Sequence, residues 1–185
     1  MSEATPRRTG WTLFELAADA GKIPAHDLAA RHSTGFLLRQ AGNDGGSGFN
    51  TITQTLTGVR AIRNEPLRGL LDYQVFPVRR AGVGRFGGDY IGVGRGENND
   101  IIVEAASVSK FHAFVVQDGA GFAVSDAGSK NGTFINDVRV GGYRDSKPTR
   151  LGDGDKLRLG EVALTFMSVE AVWRLVQRAA AAGPG

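Results

Sequence analysis

Residues 108–116 read VSKFHAFVV, with Ser109 three positions before His112 and an apolar run close behind. A serine and a histidine this close raise the question of a nucleophile and its base. Serine hydrolysis needs a nucleophile on a strained turn, a base within reach and an orienting acid. No Gly-x-Ser-x-Gly elbow surrounds Ser109, and a histidine at the mouth of an apolar strand suits a hydrogen-bonding pin better than a base. Outward from this stretch the same texture repeats. YQVFPV, YIGVG, IIV, AFVVQ, FAVS, TFI, VRV, KLRL and VALTFM, all from Tyr73 onward, are short apolar runs separated by turn signals such as Asp118-Gly119. Many short strands at close spacing predict an all-β sandwich or barrel rather than βαβ units.

The residues before Tyr73 differ in character. TLFE, Thr12 to Glu15, fits a capping box, with Leu13, Leu16, Ala17 and Ala20 on one face and Gly21 as a stop. Pro24 can open a second short helix through Arg31, and FLLRQ (36–40) reads as a short strand or apolar anchor. AGNDGGSGFN is a flexible loop by composition, and TITQTLTG then sets Thr51, Thr53, Thr55 and Thr57 at a strand's period of two. At the other end, Ser168 is an N-cap for a helix whose Val169, Val172, Trp173 and Val176 form one apolar face, expected to pack back on the domain. The chain thus divides into an N-terminal extension (1–71), a sandwich (72–167) and a C-terminal amphipathic helix with its tail (168–185).

Composition narrows the chemistry. A chain of 185 residues, 41% hydrophobic, can bury a core without staples, and the absence of cysteine removes thiol catalysis and cysteine-based zinc sites. No apolar run is long enough to span a membrane, and the first residues lack a signal peptide's apolar core, so a cytoplasmic location is expected. The net charge of +3 is no nucleic-acid signature, because residues 71–167 carry twelve charges of each sign and no basic run interleaved with aromatics. GVGRGENND (92–100) resembles a nucleotide loop but leads into a strand, with no helix N-terminus to hold a pyrophosphate. GDGDKLRLGE (152–161) fails as a calcium loop, since position twelve counted from Asp153 is Leu164. His26, His32 and His112 have no metal-ligand spacing. No metal and no cofactor are expected.

Three polar turns remain: Gly94-Arg95, Ser109-Lys110, and SKNGT from Ser129 to Thr133. Converging at one end of a sandwich, they would offer a guanidinium, hydroxyls, two ammonium groups and an amide. That inventory suits a phosphate of about −1.5 to −2 charge near neutral pH.

In this order and spacing, GR, VSKFHAFV, DAGSKNGTFIN and LGDGDKLRLGEVALTF resemble the forkhead-associated (FHA) domain over residues 72–167. The resemblance implies an 11-stranded β-sandwich whose loops at one end bind phosphothreonine in a partner. It implies that Arg95, Ser109, Lys110, Ser129, Lys130 and Asn131 meet the phosphopeptide, while Gly94, His112, Gly132 and Thr133 build the site. Lys110 stands where the family commonly has arginine, Lys130 where it has serine or threonine, and Asp137 where it often has glycine; the hairpin is expected to survive, since Asn136 and Asp137 tolerate left-handed backbone. The expected role is a non-enzymatic adaptor in Ser/Thr-kinase signalling, whose partner is a phosphothreonine-containing protein such as a Ser/Thr kinase or its substrate. Nucleic acid and membrane are not expected partners. A further expectation is self-capture: a kinase could phosphorylate a threonine of TITQTLTG, and the sandwich could then bind its own chain. The alternatives are a phospho-independent scaffold using the sandwich face or terminal helix, and an enzyme, for which no catalytic constellation is found.

Overall fold

The computed structural model describes residues 11–13, 15–16, 23–40, 73–81, 90–144 and 146–181. The glycine-rich stretch 41–50, the threonines Thr51, Thr53, Thr55 and Thr57, and the helix stop at Gly21 lie outside the described residues.

Two antiparallel-dominated sheets face each other. The strands are β1 (Trp11–Thr12), β2 (Gly35–Gln40), β3 (Tyr73–Pro77), β4 (Tyr90–Gly94), β5 (Ile101–Ile102), β6 (Ala113–Asp118), β7 (Gly121–Asp126), β8 (Thr133–Ile135), β9 (Val138–Arg139), β10 (Thr149–Leu151), β11 (Lys156–Leu159) and β12 (Val162–Ser168). Sheet A runs β1-β3-β2-β12-β11-β8-β9 and sheet B runs β10-β7-β6-β4-β5. The helices are α1 (Ala25–Arg31), opening behind Pro24, and α2 (Val169–Ala181). Setting aside the two-residue edge strand β1, the sandwich has the eleven expected strands.

One of those eleven comes from an unexpected place. Strand β2 sits inside sheet A, paired with β12 through Leu38↔Thr165 and with β3 through Leu37↔Phe76. The sheet therefore does not begin at residue 72: a strand from the expected N-terminal extension is one of its interior members. Both of its faces are covered, which is why FLL is a continuous apolar run without a strand's alternation. Leu37 points into the core between the sheets, among Phe76, Val115, Leu157, Leu164 and Phe166. Phe36 and Leu38 point the other way, into a second core with Leu13, Leu16, Leu28, Val75, Met167, Val172 and Val176.

That second core makes the molecule three layers deep: helices, sheet A, sheet B. Helix α2 packs on sheet A as its apolar face predicts, and Trp173 Nε1 donates to the Ile23 carbonyl at 3.0 Å, tying it to the N-terminal segment. Ser168 caps it, its hydroxyl accepting from the Ala171 N–H at 3.3 Å and donating to Asp153 at 2.8 Å. Thr12 and Glu15 exchange the reciprocal bonds of a capping box.

The hairpin between β8 and β9 turns on Asn136 (φ 48°) and Asp137 (φ 65°), the left-handed pair that a tight hairpin requires. Strand β10 is absent from the expected set; it is an exposed edge with one inward residue, Leu151, so it lacks an apolar run. Register places the ends of β4, β7 and β11 and the starts of β6, β8 and β12 together at one end of the sandwich. Strand β2 ends and β3 begins at this same end, with Gln40 opposite Tyr73.

Candidate functional site

The three polar turns converge at that end. The turn after β4 is stitched to the one before β6: Arg95 N–H donates to Ser109 O at 3.0 Å and Gly96 N–H to Lys110 O at 3.1 Å. This approach needs a glycine. A Cβ on Gly94 would sit 2.9 Å from the Ser109 oxygen and the Lys110 carbonyl carbon, and closer still to the Lys110 oxygen. Asn99, almost fully buried, adds a clamp by donating its Nδ2 to Gly96 O at 2.7 Å and Lys110 O at 2.6 Å.

His112 is the pin between the second and third turns. Its Nδ1 accepts from the Ser109 backbone N–H at 2.9 Å, so the ring proton sits on Nε2 and faces Gly132 O at 3.1 Å. Burial pushes its pKa below the ordinary histidine value, against smaller upward pulls from the Gly132 bond and the Asp126 charge. The ring is thus neutral and wholly buried. It bonds the backbone of Ser109 and not the hydroxyl, so the two side chains do not form a nucleophile–base pair.

The third turn, Ala127 to Gly132, folds around Asp126. One carboxylate oxygen accepts from the N–H groups of Gly128 (2.8 Å) and Ser129 (2.9 Å); the other accepts from the hydroxyls of Ser129 (2.6 Å) and Thr133 (2.7 Å). Burial works against the charged form. The bonds from Ser129, Thr133 and Gly128 outweigh it and hold the carboxyl below its usual range. Gly132 takes the left-handed conformation (φ 81°) that lets this turn enter β8.

Ser129 is a correction. Expected to face a ligand, it instead spends its hydroxyl inward, donating to Asp126 and accepting from Gly132 N–H at 2.9 Å. The other expected residues are brought to one surface. Ser109 Oγ accepts from Lys130 N–H at 3.0 Å and has no protein acceptor for its own proton among the described residues. Asn131 Nδ2 donates to Ser107 O at 2.7 Å, leaving its exposed carbonyl oxygen free to accept. Arg95, Lys110 and Lys130 are exposed, and their side chains make no hydrogen bond or ion pair among the described residues. Gly132 and Thr133 are buried in the frame.

Asp126 and Asn99 escaped sequence reasoning. Asp126 had a local signal, an Asp followed three residues on by Ser in a glycine turn, the spacing of an Asx turn. Asn99 had none, since one of its two partners is eleven residues away.

The arrangement offers one hydroxyl donor, a guanidinium and two ammonium groups around a rigid floor of backbone bonds. It can bind an anion; nothing in it activates the Ser109 hydroxyl.

The family model described as the FHA domain matches residues 91–160. Among curated proteins, the chain is 32% identical over 74 residues to the transcriptional regulatory protein EmbR of Mycobacterium tuberculosis, a match covering 40% of this chain and 18% of EmbR. It is 36% identical over 75 residues to the glycogen accumulation regulator GarA of Mycolicibacterium smegmatis, covering 40% of this chain and 44% of GarA. The chain therefore spans less than half the length of these relatives. Among solved structures, EmbR of M. tuberculosis in complex with a low-affinity phosphopeptide aligns over 45% of this chain and 21% of that one, at 29% identity and TM-score 0.38. The FHA domain of CT664 from Chlamydia trachomatis aligns over 72% and 97%, at 18% identity and TM-score 0.44.

Proposed function

The chain carries an FHA domain, and from that premise we propose that it is a non-enzymatic phosphothreonine-binding adaptor, located in the cytoplasm and acting in Ser/Thr-kinase signalling. The observation that carries this reading is the Ser109–Lys130 junction. The Ser109 hydroxyl is fixed by the Lys130 N–H at 3.0 Å and by the pinned backbone of its own loop, with its proton directed to no protein acceptor among the described residues. A phosphate over that hydroxyl receives its hydrogen bond and is met by Arg95, Lys110 and Lys130. Each charge-assisted bond contributes about 1.5–3 kcal/mol, enough in sum for a short peptide to bind in competition with water. Asn131 holds the peptide main chain beside it, accepting an N–H on its free oxygen. Gly94, His112, Gly132 and Thr133 keep the turns in register, and Ser129 joins them in that role.

The partner is a protein bearing phosphothreonine, such as a Ser/Thr kinase or its substrate. Self-capture is its finer form: Gln40 and Tyr73, which bound the segment carrying Thr51, Thr53, Thr55 and Thr57, are paired at the pocket end of the sandwich.

The test is a titration of matched phosphothreonine, phosphoserine and unphosphorylated peptides against the protein and its Arg95→Ala variant. Binding should require phosphate, prefer phosphothreonine, and weaken at least about tenfold in the variant, about 1.4 kcal/mol. Equal binding of all three peptides would instead support the phospho-independent scaffold. Repeating the titration on chain phosphorylated by a Ser/Thr kinase reads self-capture, and undiminished capture of external peptide counts against it.

A further inference from the structure

Beside the Asn131-Gly132 turn, the outer face of sheet A carries a row of side chains that the phosphate site does not use. Phe134 in β8 is register-paired with Arg139 in β9 on one side and Arg158 in β11 on the other. The Arg158 guanidinium carbon stacks 3.7 Å from the centre of the Phe134 ring, which fixes its plane and leaves its N–H edges in that plane. One edge donates to Gly160 O at 2.9 Å. Arg139 makes no hydrogen bond or ion pair among the described residues, and its Nε lies 3.6 Å from where a Cβ on Gly132 would stand. Phe134 Cε2 lies 2.9 Å from the same point. The row is therefore continuous with the turn that carries Lys130 and Asn131. The nearby anions are few and exposed: Asp137, 4.0 Å from Arg158 Nε with its side chain 84% exposed, and Glu161 beyond Gly160. Solvent weakens what they can neutralise.

We propose that the Arg158–Phe134–Arg139 row is an acid-selective subsite, which takes a carboxylate side chain two or three residues from the phosphothreonine. The inference rests on the phosphothreonine reading above. The spacing follows from the chain itself. Lys130 N–H touches Ser109 Oγ, where the phosphate sits, and Gly132 lies two residues farther along. Arg139 is thus about 7–10 Å from that point, two or three residues of extended peptide at about 3.3 Å each. An aromatic ring between two guanidinium groups supports the aliphatic part of an aspartate or glutamate, while the free edges of Arg139 meet its oxygens.

Fluorescence anisotropy on the full chain tests this with labelled phosphothreonine peptides. One has alanine at the two positions two and three residues from the phosphothreonine on both sides; the others carry aspartate there on one side or the other. One aspartate peptide should bind about three- to fivefold tighter than the alanine peptide, with the preference shrinking as salt is raised. Arg139→Gln, checked for an unchanged melting temperature, should bring that ratio to about one while leaving the alanine peptide's affinity intact. Arg139→Glu should turn the preference toward lysine at the same position. Equal binding of aspartate and alanine peptides by the parent, with phosphate still required, overturns the subsite and leaves the phosphothreonine reading standing. A preference that survives Arg139→Gln overturns it too. Binding that is indifferent to phosphate overturns both.

Discussion

Asp126→Asn keeps the shape of the group at the centre of the third turn and removes its charge. Asp126 receives four donors, two of them backbone N–H groups on one oxygen and two hydroxyls on the other. An asparagine amide has one acceptor oxygen, so its amino group must stand in one of those two places. Backbone N–H groups cannot reverse, whereas hydroxyls can rotate to accept. The amino group will therefore face Ser129 and Thr133, although the Ser129 oxygen already accepts from Gly132. Four charge-assisted bonds become neutral ones, a loss of about 1 kcal/mol each. Relief from burying a carboxylate offsets part of this, leaving a net destabilisation of about 2 kcal/mol. Urea denaturation reads it as a lower midpoint at unchanged slope. The turn also carries Lys130 and Asn131, so affinity for a phosphothreonine peptide should fall about fivefold or more. Acid adds a sign. With its folded pKa held below the unfolded value, Asp126 contributes stability that is complete above about pH 4 and lost as pH falls through the folded pKa. The variant should lack that component of the acid transition. A midpoint shift worth less than about 0.5 kcal/mol, with affinity unchanged, would refute the role given to Asp126.

Two other perturbations probe the frame. Gly94→Ala drives a methyl group into the Ser109 and Lys110 carbonyls; it should break the two backbone bonds between the first turns, lower stability by about 2–3 kcal/mol and abolish measurable phosphopeptide affinity. Thermal melts and anisotropy read both, and a variant that binds like the parent would show that the turns need no close contact. His112, its pKa lowered chiefly by burial, binds its proton more readily in the unfolded chain, and a protonated Nδ1 cannot accept from Ser109. Stability without ligand should thus be full above about pH 6.5 and decline as pH falls below it, a slope that His112→Asn should flatten. A parent melting temperature constant from about pH 7.5 to 5.5 would contradict this.

Local chemistry is legible in the order of the residues. The Thr12–Glu15 box, the Ser168 cap, the Asn136-Asp137 hairpin and the glycine-bounded strands each depend on residues within a few positions of one another, so the chain carries them directly. The GR, SxxH and NGT turns are legible for the same reason, as turns with unusual polar content. The sheet that holds FLLRQ is not. A strand buried on both faces shows no alternation, and nothing in residues 35–40 says that their neighbours are β3, more than thirty residues on, and β12, more than 120 residues on. Sequence assigns Ser129 to a ligand because it specifies a hydroxyl but not its direction; the Asp126 carboxylate, brought beneath the turn, sets that direction. Arg139 and Arg158 read as ordinary surface charges in the chain, and only pairing sets them either side of Phe134 and against Gly132. Which turns can bind an anion is a local matter of backbone conformation and side-chain chemistry, and the sequence alone specifies it. Which atoms meet at that site, and which charges stand beside it, depends on strands distant in the chain pairing in one register, because a shift of one residue would turn every side chain to the other face.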